Sequence, residues 1–458
     1  MRVIICGAGQ VGFNLARYLS QHDNHVTVID KSMELINQIN DRLDVRAICG
    51  FASYPDILEK AEAGSAEMLI AVTQSDEVNI VACETAGSLF HVPKKVARIR
   101  AQAYLHPKWA HLYSPERLNI DLVISPEVEV ARAISRSLTV PGAFDMISLS
   151  EGKIKIVGVR CTSDTLVNNT PIDLIANLSP HIDINVVGLI RGDQSFLPIA
   201  DDVLQIGDEV YFAVAEENII EAMRMFGHEA NESRRLLILG GGNIGLCLAQ
   251  EIEKYHPNVR AEIIEKDAGR AEFIAGQLNN TIVLCGDALD REVLYEASVD
   301  SAETVVAVTE DERVNTLASL LAKRLGATRA LTLINNTFHA PLVTSLGVDA
   351  VISPKKVTVS RILQNIRRGR IRSVHSLGEN FGEIIEAEAQ ESSGLVGSLV
   401  SDINCPREII VAAIIRDNVV LMPQPLTSIR SKDRVILMVD PSAIAKIEKL
   451  FSSRLDYY

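Results

Sequence analysis

The chain has 458 residues, 47% of them apolar and 23% charged, the balance of an ordinary globular protein with room for two to four domains. A formal charge of −14 opposes nucleic acid and anionic lipid at long range, so neither is expected as a direct partner. Seven cysteines without a Cys-x-x-Cys pair point to a reducing compartment rather than to a disulfide framework or a zinc site.

The first strand is expected at Val3–Cys6, close enough to residue 1 that no targeting signal is expected ahead of it. Gly7, Gly9 and Gly12 follow. The first makes a tight turn, the second lets the backbone approach a pyrophosphate, and the third lets the next helix pack closely on the strand. The phosphates would meet the helix N-terminus, where free N–H groups and the macrodipole favour an anion. A second strand, His25-Val-Thr-Val-Ile-Asp30, ends in an acid at the spacing that holds ribose hydroxyls. That acid disfavours a 2′-phosphate, so NAD is preferred to NADP, and Lys31 softens the preference.

Ser32 is expected to cap a helix to Asn40, and a strand Val45–Cys49 then leads to Gly50-Phe51-Ala52 and a helix around Tyr54–Ala63. A fourth strand, Met68–Val72, ends at Thr73. Ser75, Asp76 and Glu77 open the next helix with a cap and two acids suited to its dipole. A fifth strand, Lys95–Ile99, carries Arg98, whose guanidinium suits bound phosphate. Alternation continues to Ile124, the pattern of a doubly wound parallel sheet.

The order then repeats. Arg235–Gly245 restates the opening motif with Leu236–Leu239 and Gly240, Gly242 and Gly245, and Ala261-Glu-Ile-Ile-Glu265 supplies the second acid, followed by Lys266. Gly7 and Gly240 are 233 residues apart, and Thr73 and Thr309 are 236 apart, as are Asn79 and Asn315. Both halves close on Val-Ile-Ser-Pro, at Val123–Pro126 and Val351–Pro354. Such register over 120 or so residues indicates a duplication. Thr332 and Leu333 stand where Arg98 stands in the first half, so the two sites are expected to differ.

Segments 141–226 and 371–452 differ in texture. Short β-type runs are expected at Lys153–Val159, Ile184–Ile190 and Glu209–Val214, and at Glu383–Glu388, Ile409–Ile415 and Arg434–Val439. Each segment ends in a helix, Glu217–Phe226 or Pro441–Phe451, and reads as a small α+β domain. The expected units are 1–125, 141–226, 233–353 and 371–452, with Glu229–Arg235 as a linker. The longest apolar window, around Leu236–Ala249, is too short to span a bilayer.

No catalytic constellation accompanies the glycine loops. His181 and His375 are the only histidines of the small domains and do not align. Tyr104 and Lys108 have a reductase-like spacing, but Pro107 falls inside the turn that would unite them. His106 and His111 lack the spacing and the carboxylates of a metal site. Cys49 and Cys285 read as small apolar residues at matching strand ends. The basic run Arg367–Arg372 reads as a solvated helix end, or else as a contact with an acidic partner.

Thr73-Gln-Ser-Asp-Glu-Val-Asn79, Thr309-Glu-Asp-Glu-Arg-Val-Asn315, Gly286-Asp-Ala288 and the order of large and small domains resemble the KTN/RCK regulators of potassium transport, over essentially the whole chain. Gly50-Phe-Ala52 departs from that family's usual Gly-Asp-Ala. The resemblance implies two Rossmann-like α/β domains, each followed by a small α+β domain. It implies a cytoplasmic subunit, peripheral on the inner face of the membrane, that binds NAD or NADH, with ATP or ADP as further ligands. A homo-oligomeric ring of four chains that gates an integral-membrane Trk-type potassium channel subunit is also implied, with no enzymatic activity. The cofactor-binding residues expected are Gly7, Ala8, Gly9, Gln10, Val11, Gly12, Asp30, Phe51, Ala52, Thr73 and Arg98 in the first half. Those of the second are Gly240, Gly241, Gly242, Asn243, Ile244, Gly245, Glu265, Asp287, Ala288 and Thr309. The competing reading is an NAD-dependent oxidoreductase whose substrate pocket the motifs do not reveal.

Overall fold

The computed structural model describes the chain apart from residues 21–23, 115–116, 141, 179–181, 193, 229–233, 337–338, 367–370, 378–380 and 452–458. Most of the expected linker, His181 and the core of the basic run after Ile366 lie outside the described residues.

Strands β1 (Arg2–Cys6), β2 (His25–Asp30), β3 (Arg46–Cys49), β4 (Met68–Ala71), β5 (Lys94–Arg98) and β6 (Leu122–Ile124) form a parallel sheet in the order β3-β2-β1-β4-β5-β6. Its central strands are buried on both faces, which is why they read as unbroken apolar runs. The order reverses beside β1, so the first glycine loop lies at the switch point where such sheets bind ligands. Strand β4 stops one residue short of the expectation. Val72 still donates its N–H to Cys6 O, prolonging the ladder toward Thr73.

The first small sheet comprises β7 (Ala143–Leu149), β8 (Ile154–Arg160), β9 (Ile184–Arg191), β10 (Gln194–Phe196) and β11 (Glu209–Ala215), antiparallel in the order β10-β9-β11-β8-β7. Strands β12 (Arg235–Leu239), β13 (Arg260–Glu265), β14 (Ile282–Cys285), β15 (Thr304–Ala307), β16 (Arg329–Leu333) and β17 (Ala350–Ile352) repeat the parallel sheet, as β14-β13-β12-β15-β16-β17. The second small sheet, β18 (Ile371–Leu377), β19 (Gly382–Glu388), β20 (Ile409–Arg416), β21 (Val419–Leu421) and β22 (Arg434–Val439), runs β18-β19-β22-β20-β21. Taken from β7 to β10, the first small sheet has the same order, so the small domains are copies as well.

Four of these strands, β7, β10, β18 and β21, were not expected from the sequence. All lie at sheet edges, where pairing on one side suffices and a mixed pattern such as Ala143-Phe-Asp-Met-Ile-Ser-Leu149 is enough.

The helix after each parallel sheet abandons its own half. Helix Pro126–Leu138 buries Val130, Ala131, Ile134 and Leu138 among Leu236, Ile238, Leu246 and Ile252 of the second half. Helix Pro354–Ile366 reciprocates, placing Ile362 and Leu363 among Val3, Ile5, Val11 and Leu15. Each aliphatic side chain so buried contributes roughly 1.5–3 kcal/mol, so the exchange alone joins the two halves. The small sheets also pack against each other: Ile147, Leu149, Ile156 and Tyr211 share a core with Leu377, Phe381, Ile384 and Met438. Around it, Arg407 forms a bidentate pair with Asp202 at 2.6 and 2.9 Å, and Ser150 Oγ donates to Glu386 at 2.6 Å. The four units are therefore two interlocked pairs rather than beads on a string.

Candidate functional site

Gly7 has φ +113° and Gly240 φ +110°, a region L side chains rarely adopt, and a Cβ on either would press on the chain at Thr73 or Thr309. A Cβ on Gly12 would stand 1.8 Å from Gly7 O, and one on Gly245 2.0 Å from Gly240 O. These two glycines therefore seat helices Gln10–Ser20 and Asn243–Tyr255 directly against the loops. Around Gly9 and Gly242 a Cβ would meet nothing within 4 Å. Open space at those positions is what a phosphate approaching the helix N-terminus requires.

Asp30 and Glu265 do more than the sequence indicated. Asp30 accepts from Ala8 N at 2.7 Å and from Ser32 N at 2.8 Å; Glu265 accepts from Gly241 N at 2.7 Å and from Asp267 N at 2.9 Å. Each carboxylate thus ties the glycine loop to the end of β2 or β13. Two of its roughly four lone-pair positions remain for ribose hydroxyls. Ala8 and Gly241 are the same place in the two loops, so the longer Glu265 makes the contact that Asp30 makes.

Thr73 and Thr309 are held alike. Thr73 donates from N (2.9 Å) and Oγ1 (2.7 Å) to Asn79 Oδ1, while Asn79 Nδ2 donates to Thr73 O and Arg98 O. Thr309 and Asn315 repeat this at 2.8 and 2.6 Å, with Leu333 O in place of Arg98 O. Both asparagines are fully buried. The shared threonine–asparagine spacing is a brace that fixes the backbone flanking each glycine loop. Cys49 and Cys285 end β3 and β14, each with Sγ toward the carbonyl of Lys31 or Lys266.

The sites diverge elsewhere. Phe51 is 47% exposed and stacks on Tyr54 with centroids 5.1 Å apart, whereas Asp287 pairs with Lys266 Nζ at 2.8 Å. The Lys266 contact, reinforced by Leu289 N, holds the Asp287 carboxyl below its ordinary range. Ala52 and Ala288 are buried beside them. Arg98 is partly buried, and its Nε, shielded from solvent, meets no acceptor among the described residues. Burial pulls the Arg98 guanidinium below its ordinary value, and Arg100 adds to that effect. A cation held in this way favours an incoming anion. Its counterpart Leu333 is buried and apolar.

Both loops open into one cavity of about 2140 Å³. Of the expected residues only Gly12, Gly241 and Gly245 do not line it, being packed behind the loops. Arg17, Arg42, Arg100 and Arg270 line it too, though no motif marks them, as do Lys355 and Lys356, which precede the basic run. Arg270 donates to Gly241 O at 2.8 Å, bracing the second loop. Glu127 and Lys355, at the starts of the exchanged helices, also face the cavity. Tyr104 and Lys108 fall in separate short helices, Gln102–Leu105 and Pro107–Tyr113, so the reductase-like spacing does not form a site. No cluster of three or more potential metal ligands occurs among the described residues.

The TrkA-N domain model matches residues 3–126 and 236–354, the two parallel sheets, and the TrkA-C domain model matches residues 384–452. The Trk system potassium uptake protein TrkA of Azorhizobium caulinodans is 44% identical across the full length of both chains. The chain belongs to the TrkA family. The Halomonas elongata TrkA is 37% identical over the same complete span. Among solved structures, the GsuK RCK domain aligns with 98% of this TrkA-family chain and 94% of its own, with TM-score 0.58 and 18% identity. A GsuK channel bound to NAD aligns with 98% of this chain and 78% of its own, with TM-score 0.58 and 17% identity. At that identity the likeness is one of fold. The strand order of the first small domain equals that of the second, which the TrkA-C model matches. Among the described residues no helix is long and apolar enough to cross a membrane.

Proposed function

We propose that this TrkA-family chain is a nucleotide-sensing regulatory subunit of a Trk-type potassium uptake system. In this reading it is a cytoplasmic protein, peripheral on the inner face of the membrane, and a ring of four chains gates an integral-membrane potassium channel subunit. The observation that carries the reading is the shared cavity: both glycine loops and the starts of both exchanged helices line it, so a ligand at either loop would meet both halves of the chain. The units 1–125, 141–226, 233–353 and 371–452 are proposed as the bodies whose angles change.

NAD or NADH is the proposed ligand, with ATP or ADP as alternatives, its phosphates at Gly9 and Gly242 and its ribose hydroxyls on Asp30 and Glu265. NAD(H) supplies hydride chemistry in enzymes, but here binding energy is spent on shifting a conformational equilibrium. Such a shift requires unequal affinities for two states, with coupling of roughly 1–3 kcal/mol. The curated relatives named potassium uptake proteins, and the NAD bound to the GsuK channel, support this assignment.

Rubidium uptake tests it in potassium-starved cells lacking the gene. Uptake should return with the intact chain and not with a Gly9→Val, Gly242→Val double variant of equal abundance. Uptake unaffected by deletion, or restored fully by the double variant, would overturn the reading.

A further inference from the structure

From β3 and β14 into the helices that follow them, residues 236 apart occupy equivalent places in the two halves, and two such pairs differ in kind, the first of them lining the cavity. Phe51 corresponds to Asp287, and Tyr54 to Asp290. In the second half the acids are used locally: Asp287 holds Lys266, and Asp290 caps helix Arg291–Glu296 by accepting from Glu292 N at 2.9 Å. In the first half Tyr54 occupies the same capping position before helix Pro55–Lys60 and makes no side-chain cap bond. An N-cap bond contributes to helix stability, so a ring at that position is a locally poor choice. Both rings also stay in solvent, Phe51 47% and Tyr54 54% exposed, stacked at 5.1 Å with their planes 27° apart. Exposed aromatic pairs that break a local rule beside a ligand cavity mark a functional site.

We infer that Phe51, backed by Tyr54, is a stacking platform for the purine base of the nucleotide in the first site and determines that site's specificity. The inference rests on the nucleotide reading of the glycine loops and deepens it. Phe51 lines the cavity with Gly7, Asp30 and Lys31, on the side where the acid at the end of β2 would hold the adjoining ribose. A ring reads a base through its face, whatever groups line the base's edge. Recognition in the first site therefore comes from stacking, with Arg98 as a cation toward the phosphates. Among the described residues that line the cavity no aromatic comes from the second half, and Leu333 and the Lys266–Asp287 pair stand where the first half has Arg98 and Phe51.

The test uses the full chain carrying Gly242→Val to silence the second loop, and follows NADH binding by calorimetry. Phe51→Leu, which keeps an apolar side chain on an exposed residue, should weaken NADH about tenfold, and Phe51→Trp should restore the affinity. NAD whose adenine carries a 1,N6-etheno bridge, which alters the base edge and leaves its face, should bind as tightly as NAD. Unchanged affinity in Phe51→Leu, or rejection of the etheno base, would overturn the platform while leaving nucleotide binding intact. Absence of NADH binding to the unsubstituted chain would overturn the nucleotide reading, and this inference with it.

Discussion

Arg191 grips Asp208 through two parallel N–H···O bonds, Nε to Oδ1 at 2.8 Å and Nη2 to Oδ2 at 2.7 Å, and Nη2 also donates to Val203 O. Arg416 and Asp433 repeat the arrangement at 2.9 and 2.7 Å, with Ser428 O as the third partner. Asp208 is 1% exposed and Asp433 2%, so each pair fastens the turn before the last strand of its small sheet.

Removing one partner of such a pair strands a buried carboxylate. Arg416→Ala should destabilise the second small domain by about 3–5 kcal/mol, and Arg416→Lys, which keeps the charge without the fork, should recover only part. Urea unfolding read by far-ultraviolet circular dichroism decides this; a midpoint equal to that of the parent would contradict the assignment.

The exchanged helices predict that one substitution is felt in the other half. Ile134→Ala lies in the first half by sequence but opens a cavity beside Leu236 and Ile238, at a cost of about 2–5 kcal/mol. Hydrogen exchange should therefore quicken in β12 as much as in helix Pro126–Leu138. Protection lost only on the helix would refute the coupling.

Two glycines of the same loop should behave oppositely. Gly9→Val meets open space and should leave the unfolding midpoint unchanged while weakening NADH at the first site at least about tenfold, because its side chain takes the phosphate position. Gly12→Ala drives a Cβ against Gly7 O and should cost about 1–3 kcal/mol or more in stability. Paired calorimetry and denaturation on both variants separate the two roles.

His375 on β18 provides a pH dependence. Burial, with Arg136 and Arg361 of the two exchanged helices adding to it, pulls its imidazole down to about 4. The unfolded imidazole binds its proton near pH 6.5, so between about 6.5 and 4 the unfolded chain carries more protons and stability falls as pH falls. The loss attributable to this residue should reach about 2 kcal/mol by pH 4, after allowance for its partial exposure. His375→Gln should flatten that slope in denaturation curves taken at pH 7, 5.5 and 4.5, and an identical slope would exclude it.

What the amino-acid order determined by itself was whatever depends on near neighbours. Glycine at positions 7, 9 and 12 serves a turn, an approach and a close packing whose causes lie within a dozen residues. The acids closing β2 and β13 and the doubled register of Thr73 and Asn79 with Thr309 and Asn315 are likewise local patterns repeated once. Edge strands such as β7 escaped notice because a strand paired on one side needs no clean alternation.

Only the tertiary structure decided which surfaces meet. The apolar stripe of helix Pro126–Leu138 says that the helix packs on something but not on what, and the structure packs it on the second half. That choice turns the two glycine loops toward one cavity and brings Arg98, Lys355 and Arg270 around it from distant parts of the chain. The grip of Asp30 on Ala8 is equally invisible in the sequence. A carboxylate's partners are set by three-dimensional approach, not by residue type, so the spacing that marks a ribose acid also serves to anchor the loop that binds the phosphates.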